Sequence, residues 1–111
     1  MHVMKISSFL IIILLSSALL ANEDNFNKII KINQEFINNK NHKFIRILKP
    51  NSLLSTNDVI NTNNCHISVC KSKYKDKIVI LSAIDNLIKG GAGQAVQNLN
   101  MKFNFPLKTA L

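Results

Sequence analysis

Three scarcities bound this chain of 111 residues before any motif is considered. It has no tryptophan, a single tyrosine (Tyr74) and a single arginine (Arg46). A nucleic-acid surface usually clusters arginine with aromatics that stack on bases, so the formal charge of +8 does not imply a nucleic-acid partner. No Gly-x-Gly-x-x-Gly occurs anywhere, which removes the turn that cradles a dinucleotide pyrophosphate. Length is short as well. One domain fits, burying about 65% of the surface its unfolded chain exposes. A two-domain enzyme needs about three times as many residues.

What is abundant is narrow. Lys, Asn and Ile fill 45 of 111 positions, the signature of coding sequence drifted toward A- and T-rich codons, and the drift by itself accounts for the positive charge. The densest basic cluster, Lys71, Lys73, Lys75 and Lys77, alternates within an expected hairpin connection and reads as a solvated turn. Only two cysteines are present, Cys65 and Cys70. With His66 they form an incomplete ligand set, and Cys-x4-Cys is not a structural zinc spacing, so no metal site is expected. A Cys65–His66 dyad fails too, because neighbours on a strand point to opposite faces. Whether the two thiols pair depends on compartment.

Along the chain, residues 6–21 form an almost unbroken apolar run, ISSFLIIILLSSALLA. Two readings stay open. One is a buried strand. The other is a leader, with Lys5 ahead of an apolar core and a cut at Ala21–Asn22. The run is short for a membrane span. Acids at Glu23 and Asp24, then Phe26, Ile29, Ile30, Phe36 and Ile37 at helical spacing, predict a helix to about Asn39. Phe-Ile-Arg-Ile-Leu at 44–48 alternates as a strand, and Lys49-Pro50-Asn51 is turn chemistry. Residues 52–64 are polar and irregular and are expected to run over a surface. Residues 65–70 and 78–83 are strand candidates, expected to pair across the lysine-rich connection. The pattern predicts an α+β fold, a small mixed or antiparallel sheet with a helix over one face.

The most informative stretch is 85–100, Asp-Asn-Leu-Ile-Lys-Gly-Gly-Ala-Gly-Gln-Ala-Val-Gln-Asn-Leu-Asn. Asp85 or Asn86 can cap a helix here. Ile88, Ala92, Ala95, Val96 and Leu99 make an apolar stripe. Gly90, Gly91 and Gly93 each weaken a helix by about 1 kcal/mol relative to Ala. Close approach of another backbone or of a ligand is the usual compensation. Pro106 is expected to end the ordered part.

This run closely resembles the last helix of the N-acetyl-gamma-glutamyl-phosphate reductases, NADPH-dependent semialdehyde dehydrogenases of arginine synthesis. Phe-Ile-Arg-Ile-Leu, Pro50, Ser55-Thr56 with Asp58-Val59, and Thr62-Asn63-Asn64-Cys65-His66-Ile67 are similar to family segments in the same order. Residues 78–85, Thr109 and Leu111 continue the resemblance, which covers about residues 44–111. Upstream, His2-Val3-Met4 and the apolar run are similar to a family segment leading into a core strand, with Ser8-Phe9, Ile13 and Leu15 where the family carries polar residues.

The resemblance implies a thiolate that attacks an acyl phosphate and a hydride supplied by NADPH. The family's Asn-Pro-Gly-Cys-Tyr nucleophile segment and its downstream His pair are absent from this sequence. Cys65 matches a different family position and Cys70 matches none. By the same resemblance, Asn86 contacts the nicotinamide end of NADP, with Gly90 and Gly91 permitting close approach, while helix capping is the plain alternative for Asn86.

The expectation is therefore a truncated reductase-like protein of the cytoplasm, inactive alone. Its parts are an apolar segment at 1–21 and a partial dehydrogenase C-terminal domain at 22–111, with the terminal helix at about 86–100. Its partner would be a separate Rossmann-domain chain or a second copy. The rival of another class is a small basic exported or membrane-associated interaction protein, and a decayed product without a role is a third reading.

Overall fold

In a computed structural model of the chain, which describes residues 8–16, 23–38, 42–74 and 77–111, the principal elements run strand, helix, strand, strand, strand, helix. They are β1 (Ser8–Ser16), α1 (Glu23–Asn38), β2 (Ile45–Ile47), β3 (Cys65–Lys71), β4 (Lys77–Asp85) and α2 (Gly93–Lys102). This is the expected α+β order. The leader-like features at Lys5 and at Ala21–Asn22 lie outside the described residues, as does Lys75. Among the described residues no helix is long and apolar enough to cross a membrane.

The sheet is mixed, in the order β1-β4-β3-β2. β3 and β4 pair antiparallel across the lysine-rich connection, Val69 opposite Ile80. β1 lies antiparallel on the other side of β4, with Ser8 opposite Asp85 and Ser16 opposite Lys77. β2 runs parallel to β3, Ile45 opposite Cys65. A parallel neighbour needs a crossover of a dozen or more residues, usually a helix. Here the irregular stretch 48–64 makes it, with only a short 3-10 helix at Thr56–Asp58 capped by the Ser55 hydroxyl.

Strand alternation gives each sheet face its own cover. α1 lays Phe26 against Val69 and Ile78, and Ile29, Ile30 and Ile80 pack around them. Positions 26, 29 and 30 follow the three-and-four spacing of a helix face, and each large side chain buried there contributes about 1.5–3 kcal/mol. Ser68, Cys70 and Asp85 have the opposite parity and look the other way. The crossover covers them. Ser68 Oγ donates to the Ser52 carbonyl at 2.7 Å, and Asn61 N–H donates to Asp85 Oδ2 at 2.8 Å. The 52–64 segment runs over the surface, as its polarity implied, with Leu53 86% exposed, but it is anchored by two residues: Val59 is fully buried and Asn63 is 5% exposed.

Asn51, after the expected Pro50 turn, sits at φ 64 and accepts from Lys71 N–H through its side chain at 2.8 Å. α2 ends on Asn104 at φ 56, where Phe105 N–H donates to Asn100 O at 2.8 Å. That bond, with Asn104 N–H to Met101 O, is the closing pattern usually built on glycine. The chain stays held past Pro106, contrary to expectation. The buried Asn100 amide donates to Leu107 O at 3.2 Å and to Thr109 O at 2.9 Å.

Lys71 joins α1 to β3 through Glu23 at 2.7 Å, but the two side chains are 51% and 67% exposed. Water screens such a pair. Lys71→Met should therefore change the unfolding free energy by less than about 0.5 kcal/mol in urea denaturation, and a loss several times larger would show that the pair holds α1 in place.

Candidate functional site

The β4–α2 corner is organised by Asp85, which is 1% exposed. Its Oδ1 accepts from Leu87 N–H at 2.8 Å and Ile88 N–H at 3.1 Å, while Oδ2 takes the Asn61 amide. Burial raises the pKa of this carboxyl, but the three amides outweigh it and hold it below the ordinary value. Of the two capping candidates, Asp85 does the capping. The Asn86 side chain has no hydrogen-bond partner among the described residues.

After the cap, the chain makes one wide turn, Ile88–Ala92, in which Ala92 N–H reaches back to Leu87 O at 3.0 Å. Gly91 leaves helical geometry at φ −146 and ψ −114, and α2 starts only at Gly93. The expected single helix at 86–100 is thus a turn followed by a helix, because the glycines that weaken a helix are concentrated in its first turn.

The residues expected to face a cofactor do meet. A Cβ on Gly90 would lie 3.1 Å from Asn86 Oδ1, and one on Gly91 would lie 3.3 Å from Asn86 O. Asn86, Gly90 and Gly91 share one corner, with both glycines exposed. Gly93 behaves differently. A Cβ there would come within 2.5 Å of Asn63 Oδ1 and 2.7 Å of both Ile88 Cγ2 and Ile88 O. It is the glycine that permits close approach, and what approaches is Asn63. The stripe expected along this helix is covered only in part: Ile88 and Val96 are half-buried, while Ala92, Ala95 and Leu99 are exposed.

Beside Gly93 lies a cavity of about 540 Å³, lined in part by Phe44, Arg46, Asn63, Ile88, Val96 and Lys108. Asn86, Gly90 and Gly91 do not line it. A hydrogen-bond chain runs into its wall. Lys89 Nζ donates to Gln97 Oε1 at 2.8 Å, and Asn63 Nδ2 donates to the same oxygen at 2.9 Å. Burial lowers the pKa of Lys89, opposed by nearby Cys65, and its ammonium sits 5.5 Å from the Phe44 ring centroid. His66, opposite Arg46 on the neighbouring strand, also has a lowered pKa. Burial is the main cause, Asp58 opposes it and Arg46 adds to it. Nothing in the local sequence around Lys89, Gln97 and Asn63 marks them as partners. Their one signal is that positions 89 and 97 fall near one helix face. Cys65 and Cys70 are free thiols on opposite faces of β3.

Comparison with known proteins bears on both the fold and this corner. The family model described as semialdehyde dehydrogenase, dimerisation domain, matches residues 10–86. The N-acetyl-gamma-glutamyl-phosphate reductase of Thermoanaerobacter pseudethanolicus is 44% identical over 72 residues, 65% of this chain and 21% of the relative. The same-named protein of Vesicomyosocius okutanii is 52% identical over 64 residues, 58% of this chain and 18% of its own length. That of Clostridium botulinum (strain Eklund 17B) is 46% identical over 79 residues, 71% of this chain and 22% of the relative. The chain thus spans about a fifth of the length of these relatives. With a matching model over most of its residues and an α+β sheet to go with it, the chain belongs to the semialdehyde dehydrogenase dimerisation-domain family.

Proposed function

We propose that this chain is the carboxyl-terminal part of an N-acetyl-gamma-glutamyl-phosphate reductase-like oxidoreductase of arginine synthesis, and that it is inactive without a dinucleotide-binding half. The observation that carries the reading is the unpartnered apolar surface along and beyond α2. Leu87, Leu99, Met101, Phe103 and Phe105, spread from the start of the terminal turn to past the end of α2, are each at least 50% exposed. Large apolar side chains left exposed in this number are what surfaces covered by another body would leave on one isolated part. The missing nucleophile segment and the absent Gly-x-Gly-x-x-Gly say what that body must bring.

The corner suits one end of NADP only. Asn86 offers a free amide and Gly90 and Gly91 leave open backbone, which fits a carboxamide, whereas no phosphate cradle accompanies them. The cofactor would supply the hydride. This chain would supply one wall and, through its dimerisation-type sheet, a contact to a second copy. Residues 10–16 are read as part of the domain, supported by the pairing of β1 with β4 over Ser8–Ser16 and by a family match that begins at residue 10. The compartment would be the cytoplasm.

Two measurements test the reading. NADPH titrated into this chain alone should give no saturable fluorescence change, and micromolar binding would contradict it. In a reductase-deficient host, growth without arginine should need this chain together with a separate amino-terminal half. Growth on this chain alone would remove the proposal of inactivity, and no growth with both would remove the split enzyme.

A further inference from the structure

We infer that residues 105–111 form a strap that gates the cavity beside Gly93, latched by the Asn100 side chain and loaded by backbone strain at Ala110. The carrying observation is how the segment is attached. After Phe105 N–H closes α2 on Asn100 O, its hydrogen bonds to the rest of the described residues come from one group, the Asn100 amide. That amide donates to Leu107 O at 3.2 Å and to Thr109 O at 2.9 Å, from a residue 1% exposed. Both partners are carbonyls, which only accept, so chemistry fixes Nδ2 as the atom facing them. The other bonds of the segment are internal: Thr109 N–H donates to Pro106 O and Leu111 N–H to Lys108 O. Leu107 is the only one of its residues that is not exposed, so little apolar burial helps to hold it.

Strain works against the latch. Among the described residues four other than glycine have positive φ, and three are asparagines, whose short amide tolerates that geometry. The fourth is Ala110 at φ 59, with no polar side chain to compensate. The left-handed form costs an ordinary residue about five- to thirtyfold in equilibrium. A neutral hydrogen bond is worth about fivefold, and two together about thirtyfold. The opposing effects are of similar size, so the strap sits near the balance between held and released. Ala110 keeps its geometry because the bond to Thr109 O on one side and the Leu111–Lys108 turn on the other impose it.

What the strap covers gives that balance a consequence. Lys108, Ala110 and Leu111 line one side of the cavity of about 540 Å³, and Phe44, Ile88 and Val96 line it from the sheet and the start of α2. Release of the strap takes away a wall, so solvent and small solutes enter when Asn100 lets go. This gate is separate from the proposed cofactor corner and does not rest on it.

The test follows amide exchange at Thr109 and Leu111 in the whole chain, together with relaxation of the Ile88 and Val96 methyl signals by a neutral gadolinium chelate in solution. In the parent the two amides should exchange by local opening, at rates that low urea leaves unchanged, while those of β4 accelerate with urea. Ala110→Gly should slow both amides about fourfold, the relieved strain less the added freedom of glycine, and should lessen the chelate's effect on the methyls. Asn100→Leu should speed the amides about tenfold or more and deepen the chelate's effect, with β4 still protected. Because Asn100 is buried and its variant can misfold, Ala110→Gly decides by itself. Exchange at 109 and 111 that tracks β4 in urea, no slowing in Ala110→Gly, or methyl signals that ignore that variant would overturn the inference. Fast exchange with unmoved methyls would mean a frayed segment that guards nothing.

Discussion

Asp85→Ala is expected to lower the unfolding free energy by about 3 kcal/mol, read by urea or thermal unfolding. The carboxylate serves two purposes at once. Oδ1 supplies the start of the terminal turn with an acceptor for two amides, and Oδ2 ties the crossover back to the sheet through Asn61. Losing the cap costs about 1 kcal/mol, and leaving the part-buried amides of Asn61, Leu87 and Ile88 without their acceptor adds the rest. Asp85→Asn should lose about half as much, because an Asn that keeps Oδ1 on the helix side sets Nδ2 against the Asn61 N–H. The pH dependence follows from the same contacts. Since folding holds this carboxyl below its ordinary pKa, its contribution is complete above about pH 5 and is lost as pH falls below about 4. An alanine variant as stable as the parent at neutral pH, or a parent insensitive to acid, would refute the assignment.

Gly93→Ala should cost about 1 kcal/mol, and up to about 2, even though alanine is the better helix former. Removing a glycine from a helix favours folding by about 1 kcal/mol. Against that, the new methyl would meet Asn63 Oδ1 at 2.5 Å and Ile88 at 2.7 Å, one of the Ile88 contacts being a backbone oxygen. Overpacking of that kind costs about 1–3 kcal/mol, and Asn63 cannot swing away while Gln97 holds it. Gly90→Ala is the control. Its nearest neighbour, Asn86 Oδ1 at 3.1 Å, belongs to a side chain with no protein partner and room to move. That variant should be neutral or slightly more stable. If the two alanine variants unfold at the same denaturant concentration, the tight contact at Gly93 does not govern this corner.

The order of elements was legible because apolar spacing changes with each one: three-and-four spacing at Phe26, Ile29 and Ile30, and alternation at 44–48. The antiparallel β3–β4 pair was legible from its short polar connection. The parallel β2–β3 pair was not, since the usual clue is a crossover helix and residues 48–64 cross without one of any length. The abundance of asparagine was read as codon drift. Drift explains their number but not their placement: Asn51, Asn61 and Asn104 all sit at positive φ, in a chain whose three glycines are spent elsewhere. The Asn86–Gly90–Gly91 corner, read as one wall of a cofactor site, was visible because its residues lie close together in sequence. The Asn63–Gln97–Lys89 chain joins residues far apart in sequence and depends on how the crossover folds over the end of the sheet.

One consequence of the strand order concerns the making of the protein. β1 is made before every other strand of this sheet, yet its partner β4 is the last of the four to appear. β3 and β4, joined by a short connection, can zip together as soon as both are made. The apolar stretch SFLIIILLS must meanwhile wait unpaired until β4 is made. A nascent segment of that composition is sticky. Yield in the cell should therefore depend on chaperone supply more steeply than the stability of the finished molecule would indicate.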